Sequence, residues 1–153
     1  MHTLELKIPP VVIVLFIAVL MWLVAWAVPG FGFVLPVRYL LAVSVGLAGT
    51  VITSLGVLSF RLANTTVNPM KPDTSSSLVL SGVYAYSRNP MYLGFLLVLV
   101  GWAIFLSNVL AFLPLPVFIV YMNRFQIEPE ERVLTSLFGQ AFAAYQSRVH
   151  RWL

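Results

Sequence analysis

The stretch Pro10–Val28 reads PVVIVLFIAVLMWLVAWAV, and its only polar side-chain groups are the indoles of Trp22 and Trp26. Because a helix rises about 1.5 Å per residue, about 20 apolar residues cross the hydrocarbon core of a bilayer. The run is too long for the core of a typical secretory signal, and no convincing cleavage site follows it before Pro29. We therefore predict a retained membrane-spanning helix, with the two tryptophans as interfacial anchors.

Three further apolar runs follow the first, at about residues 37–60, 91–106 and 109–122. Over the whole chain, 60% of the residues are hydrophobic and 9% are charged, whereas roughly a quarter of the residues of a soluble domain are charged. Only the turn Ser107–Asn108 separates the last two runs, so we expect them to form an antiparallel hairpin. The sequence thus predicts an all-α, polytopic integral membrane protein with about four transmembrane helices in a single domain, residues 1–153.

The second apolar run carries small residues at alternating intervals of four and three positions. They are Ala42, Gly46, Gly49, Thr53 and Gly56. This spacing places them on one face of a helix, where small side chains let the backbone of a neighbouring helix approach closely in lipid. We predict that this face packs against another membrane helix.

The C-terminal tail, residues 128–153, has a different pattern. Apolar residues recur along it at helical spacing and polar residues fall on the opposite side, which is typical of an amphipathic helix. This helix is predicted either to be continuous or to be divided into two short helices at Gly139. Pro129 suits the first turn of a helix, and Glu130 and Glu131 suit the positive end of its dipole.

Basic residues lie almost entirely on one side of the predicted membrane. With four spans, that side contains the N-terminus, the polar loop at residues 61–90 and the tail, whereas Arg38 lies on the other side. The basic residues of the first side are Lys7, Arg61, Lys71, Arg88, Arg124, Arg132, Arg148 and Arg151. Since Lys and Arg concentrate in cytoplasmic loops, we predict that both termini, the polar loop and the tail are cytoplasmic.

The composition excludes several classes of site. The chain has no cysteine, which excludes disulfides, thiolate metal ligands and a cysteine nucleophile. Its two histidines, His2 and His150, stand at opposite ends, so we expect no metal site. A nucleic-acid-binding protein clusters its basic residues on a soluble face. Here they lie between apolar runs, and we expect no nucleic-acid partner.

Two polar clusters adjoin the predicted hairpin. Residues 82–94, GVYAYSRNPMYLG, lead into the third apolar run, and residues 124–131, RFQIEPEE, follow the fourth. The hairpin would bring both clusters together at the cytoplasmic interface. Taken separately, Arg88 suits a lipid-headgroup anchor, the tyrosines suit an aromatic belt and the glutamates suit a helix cap. Taken together, a basic loop facing three glutamates indicates a functional site.

These clusters resemble the signature of the isoprenylcysteine carboxyl methyltransferase family. Residues 78–94, LVLSGVYAYSRNPMYLG, are similar to its first block: Gly-x-Tyr, three residues, then Arg-His-Pro-x-Tyr-x-Gly. Residues 130–151, EERVLTSLFGQAFAAYQSRVHR, are similar to its second block: Glu-Glu, Leu, Phe-Gly, Tyr, Val and Arg. Both blocks keep the family's order and spacing, and the stretch from the start of the first to the end of the second is about half of the chain. Phospholipid methyltransferases of the same superfamily share this outline.

The resemblance implies an S-adenosyl-L-methionine-dependent methyltransferase that binds its cofactor with both blocks. The implied cofactor-binding residues are Leu78, Val79, Tyr84, Arg88, Asn89, Pro90, Met91, Tyr92, Glu130 and Glu131. Among them, Glu130, with Glu131 as the second candidate, suits the ammonium group of the cofactor, and Arg88 suits its anionic or polar groups. Tyr84 and Tyr92 offer ring faces and hydroxyls to its adenosine part.

Asn89 stands where the family signature has a histidine. The resemblance implies that this position contacts the cofactor. An asparagine side chain still donates and accepts hydrogen bonds, but it does not titrate near neutral pH. We favour a role in holding the cofactor, because a proton carrier at this position would be impaired in this chain.

The methyl acceptor is predicted to be lipidic, because the chain shows no soluble substrate domain. A prenylated or otherwise lipidic small molecule would enter from the bilayer, while the cofactor enters from the cytoplasm. A carboxylate acceptor is already ionised at neutral pH, so it needs a cation to orient it rather than a base, and Arg124 is the candidate catalytic residue. An amine acceptor would instead need a base, for which Glu128 or Glu131 is the candidate.

Three functions remain open on the sequence alone. The leading hypothesis is methylation of the carboxylate of an isoprenylcysteine-like or other lipidic substrate. The second is phospholipid N-methylation. The third is a non-enzymatic small membrane protein whose tail binds a partner through its amphipathic face. Membrane lipids are partners in every case, and the sequence predicts no particular oligomeric state.

Overall fold

The structure is a computed structural model that describes residues 5–64, 70 and 72–153. Five α-helices lie within this part: α1 Pro10–Ala27, α2 Arg38–Leu62, α3 Pro90–Leu106, α4 Pro114–Met122 and α5 Glu128–Gln146. Short 3₁₀ turns lie at Pro29–Phe31, Pro72–Thr74, Gly82–Ala85 and Val109–Phe112. The same residues contain no strand beyond one isolated bridge between Gly32 and Asn108, so the predicted all-α class is confirmed. Within the predicted loop 61–90, residues 65–69 and Lys71 lie outside the described residues, and so does His2.

Each of the four predicted membrane spans corresponds to an apolar helix, and the fourth is continuous with the tail helix. Three stretches are long and apolar enough to cross a membrane, namely Pro10–Ala27, Arg38–Leu62 and Val109–Gln146, with mean hydropathies of 2.7, 2.0 and 1.4. The remaining apolar helix, α3, is shorter. Large apolar side chains on the outer faces are exposed, such as Phe16 on α1 and Leu40 on α2. A surface of this kind is stable only in lipid, and the chain is a polytopic membrane protein.

Prolines mark where three of the helices begin. Pro10, Pro90 and Pro114 each occupy the first turn of a helix. Proline is favoured there because its fixed φ suits the helix and its missing N–H would have no partner in the first turn. The loop before Pro90 therefore enters α3 abruptly, and Asn89 directly precedes the helix.

The small residues of α2 pack against α3 as predicted. A Cβ atom added at Gly49 would lie 2.5 Å from the carbonyl oxygen of Gly94, and one added at Gly101 would lie 2.8 Å from that of Ala42. Thr53 also donates a hydrogen bond of 3.3 Å from its Oγ1 to the carbonyl oxygen of Met91. The two backbones are thus in direct contact, which is the arrangement that small residues permit between helices in lipid.

α3 and α4 form the predicted antiparallel hairpin, with α1 packed against both. Ser107 ends α3 in the left-handed region at φ 51°, and the Asn108 side chain accepts a hydrogen bond of 2.9 Å from the amide of Leu110. In the core between these helices, Met21, Phe118 and other apolar side chains are fully buried. The hairpin therefore brings the start of α3 beside the end of α4.

α4 continues into α5 without a break, contrary to the expected boundary between the fourth span and the tail. Residues Asn123–Ile127 form a π-helical turn that links the two helices. The amide of Glu128 donates to the carbonyl oxygen of Asn123, and Ile127 has helical φ and ψ. Glu130 and Glu131 therefore follow a helical turn and do not cap a free helix end. A π-turn of this kind is frequent at functional sites.

Gly139 divides α5, as one of the two sequence alternatives predicted. Its φ of 49° and ψ of −121° interrupt the helix. Glycine adopts such angles because it has no Cβ atom, whereas other residues are strained there. The chain consequently changes direction, and the part of α5 after Gly139 turns Phe142 and Tyr145 into buried positions.

Candidate active site

A cavity lies at the end of the bundle where α2 ends and α3 begins. Its empty volume is about 810 Å³, counting the part open to solvent. Its walls come from the end of α2, the loop before α3, the start of α3 and both halves of α5. The lining residues are Phe60, Pro72, Ser75, Ser77, Leu78, Val79, Tyr84, Arg88, Asn89, Met91, Tyr92, Glu130, Glu131, Leu134, Phe142 and Tyr145. All of the predicted cofactor-binding residues line this cavity except Pro90, which is fully buried at the start of α3.

Tyr84 forms part of the apolar wall. It lies in the 3₁₀ turn Gly82–Ala85, and its ring packs edge-to-face against Phe60 with centroids 5.2 Å apart. The hydroxyl of Tyr145 donates a hydrogen bond of 2.7 Å to the main-chain oxygen of Tyr84, which ties α5 to this turn. Burial raises the pKa of the Tyr84 phenol, and the charge of Glu130 raises it further, so the hydroxyl stays protonated at neutral pH.

Glu131 is bound by two arginines. Its Oε1 accepts a hydrogen bond of 3.0 Å from Arg88 and one of 3.3 Å from Nε of Arg151, and its Oε2 accepts one of 2.6 Å from Arg151. Only 14% of the Glu131 side chain and 13% of the Arg88 side chain is exposed. We call these three residues the Glu131 cluster. Charge-assisted bonds in so sheltered a place are stronger than surface ion pairs, and they hold both arginines in one orientation.

Glu130 accepts hydrogen bonds from neutral side chains and has no cationic partner among the described residues. Its Oε1 accepts a hydrogen bond from the hydroxyl of Tyr92 and one of 3.1 Å from Nε2 of Gln126. Its Oε2 receives no hydrogen bond from the described residues, and the side chain lines the cavity. The cavity wall therefore includes a carboxyl group with one oxygen that is available to a ligand.

Asn89 is fixed by the C-terminal end of the chain. Its Nδ2 donates a hydrogen bond of 2.9 Å to the main-chain oxygen of Arg151, and its amide donates one of 3.1 Å to Oγ of Ser87. The residue is buried and lines the cavity. One N–H of Nδ2 is engaged in this way, so Oδ1 and the second N–H of the Asn89 amide remain for a ligand.

The structure does not bring Arg124, the predicted catalytic cation, to the cavity. Its side chain is 53% exposed, and it pairs with Glu128 one helical turn later at 3.2 Å. Glu128, a predicted base, belongs to this exposed pair and is likewise absent from the lining. Glu131, the other predicted base, does line the cavity.

Several residues of the site were not singled out from the sequence. Arg151 belongs to the second block but carried no predicted role, and Gln126 stood between apolar neighbours with no pattern to mark it. Leu134, Phe142 and Tyr145 are among the apolar residues that recur at helical spacing along the tail, and no pattern in the sequence assigns them a role in the site. These three residues line the cavity. The sequence does not predict this, because the helical pattern alone does not say which other element the apolar face contacts.

The described part of the chain places no group of three or more His, Cys, Asp or Glu side chains where they would hold a metal ion. The residues that line the cavity offer carboxyl groups, a guanidinium group, tyrosine hydroxyls and aromatic walls. Such a set can bind and orient a ligand that carries a cation beside an aromatic part.

The sequence that forms much of the cavity is similar to that of known proteins. The profile of the phospholipid methyltransferase family matches residues 37–141. An uncharacterized protein of Haemophilus influenzae is 46% identical over 63 residues, which are 41% of this chain and 100% of that protein. The protein-S-isoprenylcysteine O-methyltransferase of Schizosaccharomyces pombe is 33% identical over 72 residues, 47% of this chain and 30% of that enzyme.

A probable protein-S-isoprenylcysteine O-methyltransferase of Oryza sativa subsp. indica is 31% identical over 105 residues, 69% of this chain and 55% of the rice protein. The chain thus spans about a third of the yeast enzyme and about half of the rice protein. The resemblance drawn from the two sequence blocks is confirmed at the level of the family.

Proposed function

Since the chain belongs to the phospholipid methyltransferase family, we propose that it transfers a methyl group from S-adenosyl-L-methionine to a membrane-borne acceptor. The observation that carries this proposal is Glu130, which lines the cavity and whose Oε2 has no partner among the described residues. A carboxylate in that situation suits the ammonium group of the cofactor's amino-acid end. Tyr92 and Gln126 orient it by holding the other oxygen.

The rest of the cavity fits the remainder of the cofactor. The apolar and aromatic walls formed by Phe60, Val79, Leu134 and Phe142 suit its adenosine part. Oδ1 of Asn89 offers an acceptor, and the Tyr84 hydroxyl is a protonated donor. When bound, S-adenosylmethionine supplies a methyl group already activated by its sulfonium. The protein's part is therefore to position the reactants and to exclude water.

A carboxylate acceptor agrees better with these groups than an amine does. Glu131 is bound by two arginines, and Glu130 is the group proposed for the cofactor's ammonium. An amine acceptor would need one of them as a free base, whereas a carboxylate needs none. The relatives named protein-S-isoprenylcysteine O-methyltransferases support the same choice. We therefore infer that the acceptor is the carboxylate of an isoprenylcysteine-like or other lipidic molecule, entering from the bilayer.

Phospholipid N-methylation is the second candidate, favoured by the family profile that matches the chain. It would use Glu130 as the base rather than as the ammonium ligand. A third alternative, a non-enzymatic membrane protein that binds a partner, gives no role to the cavity or to Glu130.

One experiment separates these functions. Purified protein in lipid nanodiscs is given methyl-labelled S-adenosylmethionine with farnesylated N-acetylcysteine, or with the methyl ester of the same compound as the matched control. We expect label in a base-labile ester with the free acid and none with its ester. Label in base-stable headgroups of phosphatidylethanolamine nanodiscs would support the second candidate. Absence of cofactor binding would contradict both enzymatic functions.

We further propose that the cavity and both termini face the cytoplasm. Support comes from the position of the basic residues: Arg88 and Arg151 lie at the cavity, whereas Arg38 starts α2 at its other end. The absence of native cysteine allows a clean test. In sealed right-side-out vesicles, Val34→Cys at the exposed opposite turn should react with an impermeant maleimide, and exposed Ser147→Cys should react only after permeabilisation. The reverse result would overturn the orientation.

A further inference from the structure

The chain beyond α5 turns back along the cavity wall. We call residues 149–152 the C-terminal strap. The main-chain oxygen of His150 accepts a hydrogen bond of 3.0 Å from the amide of Arg88, and that of Arg151 accepts the bond from Asn89 described above. The indole of Trp152 donates a hydrogen bond of 3.0 Å to Oδ1 of Asn123 in the π-turn. The strap thus joins the loop before α3 to the π-turn that leads into α5.

Arg151 makes the side-chain contact of this strap to the cavity wall. Its guanidinium binds both oxygens of Glu131, on which the guanidinium of Arg88 also converges. A carboxylate held in this way keeps its orientation, because a planar guanidinium offers its donors as a rigid fork. Without Arg151, Glu131 would keep only Arg88 and would become a second partly free carboxylate next to Glu130.

We infer that Arg151 is a positioning residue for cofactor binding, acting through Glu131, and this inference rests on the proposed function. Bound by Arg151, Glu131 fixes Arg88 and leaves Glu130 as the carboxylate that receives the ammonium group. Arg151 itself is absent from the cavity lining, so it need not touch the cofactor. Its main-chain bond to Asn89 does not depend on the side chain, so a substitution isolates the contact to Glu131.

The test compares Arg151→Gln with Arg151→Lys in the full chain in nanodiscs. For the glutamine variant we expect the KM for S-adenosylmethionine to rise roughly tenfold, equal to about 1.4 kcal/mol, with the KM for the farnesylated acceptor unchanged. Lysine should restore part of the affinity, because it keeps the charge but not the fork. Glu131→Gln should show the same rise, and the double variant should lose no more than either single variant.

Arg148→Gln is the matched control. This exposed arginine lies three residues earlier in the same tail, and the bond described for it goes to the main-chain oxygen of Ala144 at 3.1 Å. We expect it to leave both KM values unchanged. Additive losses in the double variant, or equal changes in both KM values, would overturn the inference.

The inference and the proposed function fail in different ways. Native protein that does not bind S-adenosylmethionine would remove the proposed function and this inference with it. Native protein that binds the cofactor, together with Arg151→Gln that binds it equally well, would remove the inference alone. The melting temperature of each variant is measured in the same nanodiscs. If Arg151→Gln does not fold, the comparison of Arg151→Lys with Arg148→Gln decides, and an unchanged cofactor KM for the lysine variant would overturn the inference.

Discussion

The α2–α3 interface and the region around the cavity are held together in opposite ways. Between α2 and α3, glycines bring two backbones into contact, and the helices are held together mainly by van der Waals packing. Around the cavity, hydrogen bonds between side chains hold Glu130 and the Glu131 cluster, and the main-chain oxygens of the strap accept bonds from Arg88 and Asn89. The first region needs the absence of side chains, and the second needs particular ones. We therefore expect the first to determine stability and the second to determine binding.

The largest effect is expected at the α2–α3 interface. A Cβ atom at Gly94 would meet the carbonyl oxygen of Gly49 at 2.5 Å and the side chain of Thr53, whereas one at Gly46 would meet nothing within 4 Å. Gly94→Ala should therefore destabilise the protein by about 3 kcal/mol, the upper end of the usual cost of overpacking. Gly46→Ala, the control, should cost nothing. The measurement is the melting temperature of each variant in nanodiscs. If Gly94→Ala melted at the same temperature as Gly46→Ala, close contact between α2 and α3 would not contribute to stability.

The next effect concerns binding rather than stability. Glu130→Ala removes the carboxylate proposed for the cofactor's ammonium, and the expected loss is about 1.5–3 kcal/mol, roughly ten- to a hundredfold in affinity. Glu128→Ala, two residues earlier and outside the cavity lining, should bind normally. Calorimetry with S-adenosylmethionine measures both. Equal affinities would exclude Glu130 from the site.

Gly139 lies in the cavity region, and its substitution is expected to change stability as well as binding. It and Gly30 both have open space where a Cβ atom would be added, but only Gly139 has a positive φ. Gly139→Ala should cost about 1–2 kcal/mol through backbone strain, and it should weaken cofactor binding because the second half of α5 covers the cavity. Gly30→Ala should change neither property. A Gly139→Ala variant with normal stability and affinity would show that the bend in α5 is not needed.

The smallest effect is expected for Asn89→His, where the chain departs from its family signature. An imidazole can donate to the main-chain oxygen of Arg151 as Nδ2 of Asn89 does. Cofactor affinity should therefore stay within about tenfold, or roughly 1.4 kcal/mol.

Asn89→Leu is the contrasting variant, and it should bind the cofactor much more weakly, because a buried carbonyl would lose its donor. A pH–rate profile completes the comparison. A gain in turnover for the histidine variant near pH 6.5, about the pKa of imidazole, would indicate a proton carrier instead. A leucine variant that binds normally would place Asn89 outside the site.

The sequence predicted well those features that depend on neighbouring positions. The apolar runs, the small-residue face of α2 and the turn at Ser107–Asn108 carry local signals of period, size or backbone freedom, and Gly139 marked one of two alternatives for the tail helix. Helices within a membrane must satisfy their own backbone, which makes such signals decisive.

The features that could not be predicted join distant positions or depend on helix phase. The carbonyl oxygen of Arg151 binds Asn89 across 62 positions, and a main-chain acceptor has no signature in the sequence. Arg124 is close to Glu130 in sequence, but the phase of the helix and the π-turn direct it outward instead of into the cavity. Gln126 is buried for the complementary reason, since it lies one turn before Glu130 and donates to it.

The unbroken passage from α4 through the π-turn into α5 has a mechanical consequence. A membrane helix adapts to a thinner or thicker bilayer mainly by tilting. Because no flexible linker separates α4 from Glu130, such a tilt displaces this carboxylate relative to Tyr92, which is carried by a different helix. The geometry of the cavity is thereby coupled to the acyl-chain length of the surrounding lipid. We expect the protein to bind its ligand best in a bilayer of one thickness and less well in those that mismatch it.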